Sequence, residues 1–216
     1  MPLLMLDLDN TLIDRDAAFR SAATQFLAEQ GLPPRELPWI MSMDGDGFTP
    51  RPDVARAMTH RYGDRVAPAA IHELLDRGAA DRVTLDDAVR AALLGATAAG
   101  WTPVVVTNGR TVQQTRKIER TGLDTLVDGW VISESAGHKK PDPAIFHAAA
   151  AGRSLDAAWM VGDSATADVG GAHRLGLRTA WVSRGRRWPE PDFGPTHTAV
   201  DAASALAYVV GGHGAG

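Results

Sequence analysis

Asp7 and Asp9 stand two residues apart at the end of the apolar run "LLMLDLDNTL". An unpaired ionised carboxylate in an apolar interior is costly enough that it takes up a proton or finds a partner, so this placement calls for a cation or a reaction. Alternate residues of an extended chain face the same side, so the two acids point together. Asp7 is then a candidate nucleophile, able to form a covalent intermediate that splits one hard step into two. Asp9 is a candidate general acid toward the leaving oxygen and general base toward water. Asp163 and Asp168 in "GDSATAD" supply further acids. Oxygen ligands from Asp7, the Asp9 carbonyl and Asp163 suit Mg2+, with Asp168 behind them or on a metal-bound water. Thr107 and the amides of Asn108 and Gly109 in "TNG" can bind phosphoryl oxygens, and Lys140 in "HKKPDP" can offset charge on Asp7 and on a phosphate. Phosphate-monoester hydrolysis, among the slowest uncatalysed reactions known, needs this combination of nucleophile, charge neutralisation and leaving-group protonation.

These residues follow short strand-like segments. Leu3 to Leu8 reads as a central strand covered on both faces and closed by the turn-forming Asp-Asn-Thr. "WTPVVVTNG", "GWVIS", "AAWMVGDS" and "LRTAWVS" read as four more strands. Helical spacing runs from Asp86 to Ala99, from Thr111 to Arg120, through "DPAIFHAAAA" and through "TADVGGAHRLG". Alternating strands and helices predict an α/β fold, a parallel sheet with helices on both faces, whose functional groups gather at the C-terminal strand ends. The stretch from about Arg15 to Arg82 breaks the alternation and reads as a helical insertion. Its helices are expected at Asp16–Gln30, Asp53–Arg61 and Pro68–Ala80, and the prolines at 33, 34, 38, 50 and 52 around "MDGDGF" predict an ordered loop. The "GGHGAG" tail has a flexible composition, and with nothing after it to enter a helix it is not expected to cradle a phosphate.

The four clusters in this order resemble the haloacid dehalogenase superfamily along almost the whole chain. The matching residues are Asp7, Asp9 and Thr11, then Thr107 with Asn108 and Gly109, then Lys140, then Asp163 and Asp168. The resemblance implies a Rossmann-like core over residues 1–14 and 83–216, with a helical C1-type cap over residues 15–82. It also implies Mg2+-dependent phosphatase chemistry through an aspartyl-phosphate. Dehalogenases of the superfamily lack the second aspartate of the first motif, which this chain keeps as Asp9. Phosphonatases use a cap lysine, and the three lysines here, Lys117, Lys139 and Lys140, all lie outside the expected cap. A phosphomutase, or a member that binds a phosphorylated ligand without turnover, stands as the alternative. A closing cap confines the substrate to a small phosphorylated metabolite such as phosphoglycolate, a sugar phosphate or a nucleoside monophosphate. Within the cap, Phe48 is a candidate to pack on an apolar or ring portion and Arg51 to pair with a carboxylate or second phosphate.

Composition narrows the classes. The chain has 216 residues and a net charge of -4, without the cationic excess of a nucleic-acid or anionic-membrane binder. It contains no cysteine, which removes disulfides and thiolate chemistry. No secretion signal or membrane-length apolar run is evident, so a cytoplasmic location is expected. "DGDG" at 44–47 suggests a calcium loop, but Ala55 stands where the closing glutamate belongs. His60, His72 and His147 read as helix-surface residues, "RGRR" at 184–187 as a solvated loop, and Trp101, Trp130, Trp159 and Trp181 as core.

Overall fold

The computed structural model describes residues 1–212. Strand β1 (Leu3–Leu6) is followed by four helices: α1 (Arg15–Glu29), α2 (Leu37–Asp44), α3 (Arg51–Tyr62) and α4 (Pro68–Arg77). From α5 (Asp87–Ala98) the chain runs through β2 (Thr102–Thr107), α6 (Thr111–Thr121), β3 (Gly129–Ile132), α7 (Ser133–Ala136), α8 (Pro143–Ala150) and β4 (Trp159–Gly162). A π-helical turn at Ala165–Gly170, α9 (Gly171–His173), β5 (Arg178–Val182), β6 (His197–Ala199) and α10 (Ala202–Gly212) complete it. Contacts divide the chain into two compact units, Met1–Ile13 with Leu85–Gly216, and Asp14–Thr84.

In the first unit six parallel strands pair in the order β3-β2-β1-β4-β5-β6, with helices on both faces. The order reverses at β1, the switch point where such sheets place their ligands. All four residues of β1 are buried, as a strand covered on both faces requires. Leu3 and Met5 pack with Val104, Val106, Ile145, Phe146 and Met160 on the face that carries α8, while α5 and α10 pack against one another. Local capping signals set the helix starts. Asp86 accepts from the Ala88 amide, Asp142 from Ala144, and Ser164 from Ala167.

The second unit is helical. Its segment at residues 37–44 is the helix α2, not the expected loop, because Pro34, Pro38 and Pro52 all sit in first helical turns, where a missing amide is harmless. Asp44 of "DGDG" is fully buried and bonded to the guanidinium of Arg15, to Arg51 at 2.7 Å and to the Gly47 amide at 2.9 Å. The run is thus an ion-paired turn. Phe19 lies beneath both arginines. Phe48 is 67% exposed.

Strand β6 and helix α10 extend the sequence-based reading of the first unit. Of the four tryptophans assigned to the core, Trp101, Trp159 and Trp181 are buried, but Trp130 is 38% exposed. It lies on β3, which pairs on one side only. His60, His72 and His147 are exposed. In the "GGHGAG" tail, Gly211 and Gly212 end α10, and residues 213–216 lie outside the described residues. Among the described residues no helix is long and apolar enough to cross a membrane.

Candidate active site

Asp7 directly follows β1, and its amide continues the ladder by donating to the Val161 carbonyl of β4 at 2.9 Å. The chain then turns tightly, with Asn10 at φ 61°, a left-handed value that asparagine tolerates better than most residues. The turn brings Thr11 back, and its hydroxyl donates to Asp7 Oδ2 at 3.0 Å.

Lys140 approaches from the segment ahead of α8 and is 3% exposed. Its Nζ lies 2.7 Å from Asp7 Oδ1 and 2.7 Å from Asp168 Oδ1, and donates to the Val106 carbonyl. Asn108 holds the Lys140 backbone from both sides, donating to its carbonyl at 2.9 Å and accepting from its amide at 2.8 Å. Lys139 is exposed. Asp168 is fixed by the Ser164 amide at 2.9 Å. A Cβ at Gly162 would meet Asp168 Oδ2 at 2.2 Å, so glycine before Asp163 is a condition of this approach.

Asp7, Asp163 and Asp168 are buried and offer ligand oxygens within 4.8 Å of one another. Arg186 of the "RGRR" run does not lie idle in solvent: it donates to the Asp163 carbonyl at 2.8 Å and to Oδ2 at 3.0 Å, and Trp181 Nε1 donates to the same carbonyl at 2.8 Å. Three buried carboxylates facing Lys140 and Arg186 leave an excess of negative charge, the donor set that a hard divalent cation such as Mg2+ fits.

The Asp9 carboxylate is not part of that trio, contrary to the expected alternation with Asp7, because β1 ends at Leu6 and the chain is already turning at Asp9. Its carboxylate is bound by Lys117 and Gln114 of α6, and Gln114 also donates to the Thr107 hydroxyl at 2.7 Å. The Gly109 amide donates to Ser133 Oγ at 3.0 Å. Phe48 and Arg51 belong to the second unit, where Arg51 is engaged by Asp44.

The model of the family described as haloacid dehalogenase-like hydrolase matches residues 4–182. This chain belongs to that family. A phosphoglycolate phosphatase of Cereibacter sphaeroides is 31% identical over 193 residues, 87% of each chain. A phosphoserine phosphatase of Thermus thermophilus is 28% identical over 90% of this chain and 94% of its own. A glyceraldehyde 3-phosphate phosphatase of Pyrococcus abyssi is 37% identical over 89 residues, 40% of this chain and 37% of that protein. Among solved structures, Bacillus subtilis YfnB bound to magnesium superposes with a TM-score of 0.79 at 22% identity, covering 97% of this chain and 98% of YfnB. That likeness is one of fold.

The hydrolase carries three polar groups at this site that sequence reasoning passed over: Gln114, Lys117 and Arg186. The first two had a signal, since both fall on the buried stripe of α6 with Ile118 and Thr121. Arg186 had none, because it is exposed like Arg184 and Arg187 and shares their local composition.

Burial, with Asp168 and Asp163 nearby, pushes the Asp7 carboxyl up to about 8 in spite of Lys140. Burial and Asp168 push Asp163 up to about 6 against the pull of Arg186. Both values lie above that of an unfolded aspartate, about 4. The folded state therefore binds extra protons, and the stability this contributes is full below about pH 4 and lost as pH rises toward about 8. In chelator, the melting temperature is expected to fall between about pH 5 and pH 8.5, and Mg2+ is expected to raise it more at the higher pH. Each kcal/mol corresponds to about 2–4 °C at this chain length, within reach of scanning fluorimetry. A flat or rising melting curve in chelator over that window contradicts the charge balance described.

Proposed function

We propose that this hydrolase is a Mg2+-dependent phosphatase that cleaves a small-molecule phosphate monoester through an aspartyl-phosphate on Asp7. The observation that carries the reading is the convergence of Asp7, Asp163, Asp168 and Lys140 beside the switch point of the sheet. Asp7, Asp163 and Asp168 would hold the ion, with the Asp9 carbonyl as a further ligand. When bound, Mg2+ screens the repulsion between the carboxylates and the incoming phosphate.

In the first step an Asp7 carboxylate oxygen forms a bond to phosphorus while the ester P–O bond breaks, and Asp9 gives its proton to the departing alkoxide. In the second, Asp9 takes a proton from water, the hydroxide attacks phosphorus, and the acyl-phosphate bond breaks to return Asp7 and inorganic phosphate. Lys140 stabilises charge on Asp7 and the transferring group throughout. Thr11, Thr107 and the Asn108 amide would line the phosphoryl position, whereas the Gly109 amide, also expected there, is committed to Ser133 Oγ.

The names of the relatives, phosphatases of phosphoglycolate, phosphoserine and glyceraldehyde 3-phosphate, support a small phosphorylated metabolite as substrate. The test is a panel of phosphate monoesters assayed for phosphate release with and without Mg2+: an aryl phosphate, phosphoglycolate, phosphoserine, sugar phosphates and nucleoside monophosphates. Turnover that requires Mg2+ and concentrates on one class by kcat/KM is expected. No release from any member rejects the phosphatase, and isomerisation of a sugar phosphate outpacing phosphate release, with its bisphosphate present, identifies a mutase.

A further inference from the structure

Both carboxylate oxygens of Asp9 lie 2.7 Å from Nζ of Lys117, and Oδ2 also accepts from Gln114 Nε2 at 3.0 Å. Lys117 is 4% exposed, and lysine is almost never so buried without a partner. The chain contains three lysines among 22 basic residues, and two of the three, Lys117 and Lys140, are buried against the two aspartates of the first motif. Elsewhere the chain relies on arginine. A compact ammonium on a flexible stem suits a narrow approach from beneath a carboxylate, where the broad planar fork of arginine needs more room.

The anchoring of Lys117 is itself rigid. Thr121, one turn on, donates its hydroxyl to the Lys117 carbonyl at 2.7 Å. Gln114, three residues earlier on the same face of α6, uses Nε2 for both Asp9 and the Thr107 hydroxyl. Its side chain also fills the space that a Cβ at Gly109 would enter, at 2.9 Å. One helix face therefore holds Asp9, Thr107 and the backbone at Gly109 in a fixed relation, with α6 linked to all three.

We infer that Lys117, with Gln114 beside it, is the positioning residue for Asp9. The ammonium grips both oxygens of the ionised carboxylate, the form in which Asp9 takes a proton from water in the second step, and sets its rotation, while Gln114 ties that carboxylate to the Thr107 hydroxyl. The proton carrier and the phosphate-binding hydroxyl are thereby presented as one unit. This inference rests on the proposed role of Asp9. Misplacement of a reacting group by about 1 Å can lower a rate about 10²-fold.

The test is a double-mutant cycle of Asp9→Asn and Lys117→Met, with kcat and KM measured on an aryl phosphate at saturating Mg2+, and melting temperature as the control for folding. Lys117→Met is expected to lower kcat about 10²-fold with KM changed less than about threefold. In the Asp9→Asn background the same substitution is expected to have no further effect on kcat, because the group it positions is gone. Lys117→Arg, which keeps the cation, is expected to restore part of the rate. If the two substitutions instead multiply, or folded Lys117→Met turns over at the wild-type rate, the inference is overturned while the phosphatase reading stands. A wild-type rate in Asp9→Asn rejects the role of Asp9 and this inference with it. Should Lys117→Met melt below the assay temperature, Lys117→Gln, which removes the charge but keeps a polar group in the buried position, carries the same cycle.

Discussion

Asp7→Asn is expected to lower phosphate release by about 10⁴-fold or more, in the range seen when a covalent nucleophile is removed. The amide keeps the size and the Thr11 hydrogen bond available to the carboxylate but cannot form the acyl-phosphate bond. The substitution also removes one of three mutually repelling buried carboxylates, while Lys140 retains Asp168. The melting temperature in chelator is accordingly expected not to fall. A large loss of kcat in a protein at least as stable as the wild type separates a chemical role for Asp7 from a structural one. Steady-state assay together with scanning fluorimetry gives both readings, and a rate within tenfold of wild type excludes Asp7 as the nucleophile.

Lys140→Met is expected to damage stability and activity together. Burial works against the charge of Lys140, but Asp168 and Asp7 overcome it and hold the ammonium well above its usual range. Removing one partner of such a buried arrangement leaves the other charges uncompensated, a loss of about 3–5 kcal/mol. At about 2–4 °C per kcal/mol for a chain of this length, the melting temperature should drop by roughly 6–20 °C. Loss of charge stabilisation at the transferring group should lower kcat by about 10²–10³ in addition. Mg2+ is expected to stabilise this variant more than the wild type, since it then supplies the missing positive charge. A Lys140→Met protein with near wild-type melting temperature and kcat would show that the ion pairs with Asp7 and Asp168 matter to neither.

The parallel sheet was legible because each of its central strands is a short apolar run closed by a turn residue, a signal contained within a few positions. The same locality made Asp7, Thr107 and Asp163 conspicuous, since each interrupts or ends such a run, whereas Lys140 and Asp168 stood out through the resemblance of the four clusters to the family. Helix α2 was missed for a related reason. Prolines spaced through residues 33–52 resemble a loop unless one knows that Pro34 and Pro38 stand at helix starts. Trp130 was misassigned because burial on a strand depends on its rank in the sheet, and nothing within "GWVIS" marks β3 as the edge.

Partner choice is another matter. Lys117 reaches Asp9 across 108 positions and Arg186 reaches Asp163 across 23. Helical spacing places Lys117 on the buried stripe of α6, but which carboxylate that stripe meets depends on how the helix is rotated against the end of β1. Arg186, in a loop without periodicity, is selected over Arg184 and Arg187 by the path of the backbone after β5. Hydrophobic pattern and turn chemistry are decided among neighbours in the chain, and they specified the strands and the acids at their ends. Ion pairing between distant segments is decided by register and packing, so the cations that hold those acids came into view with the fold.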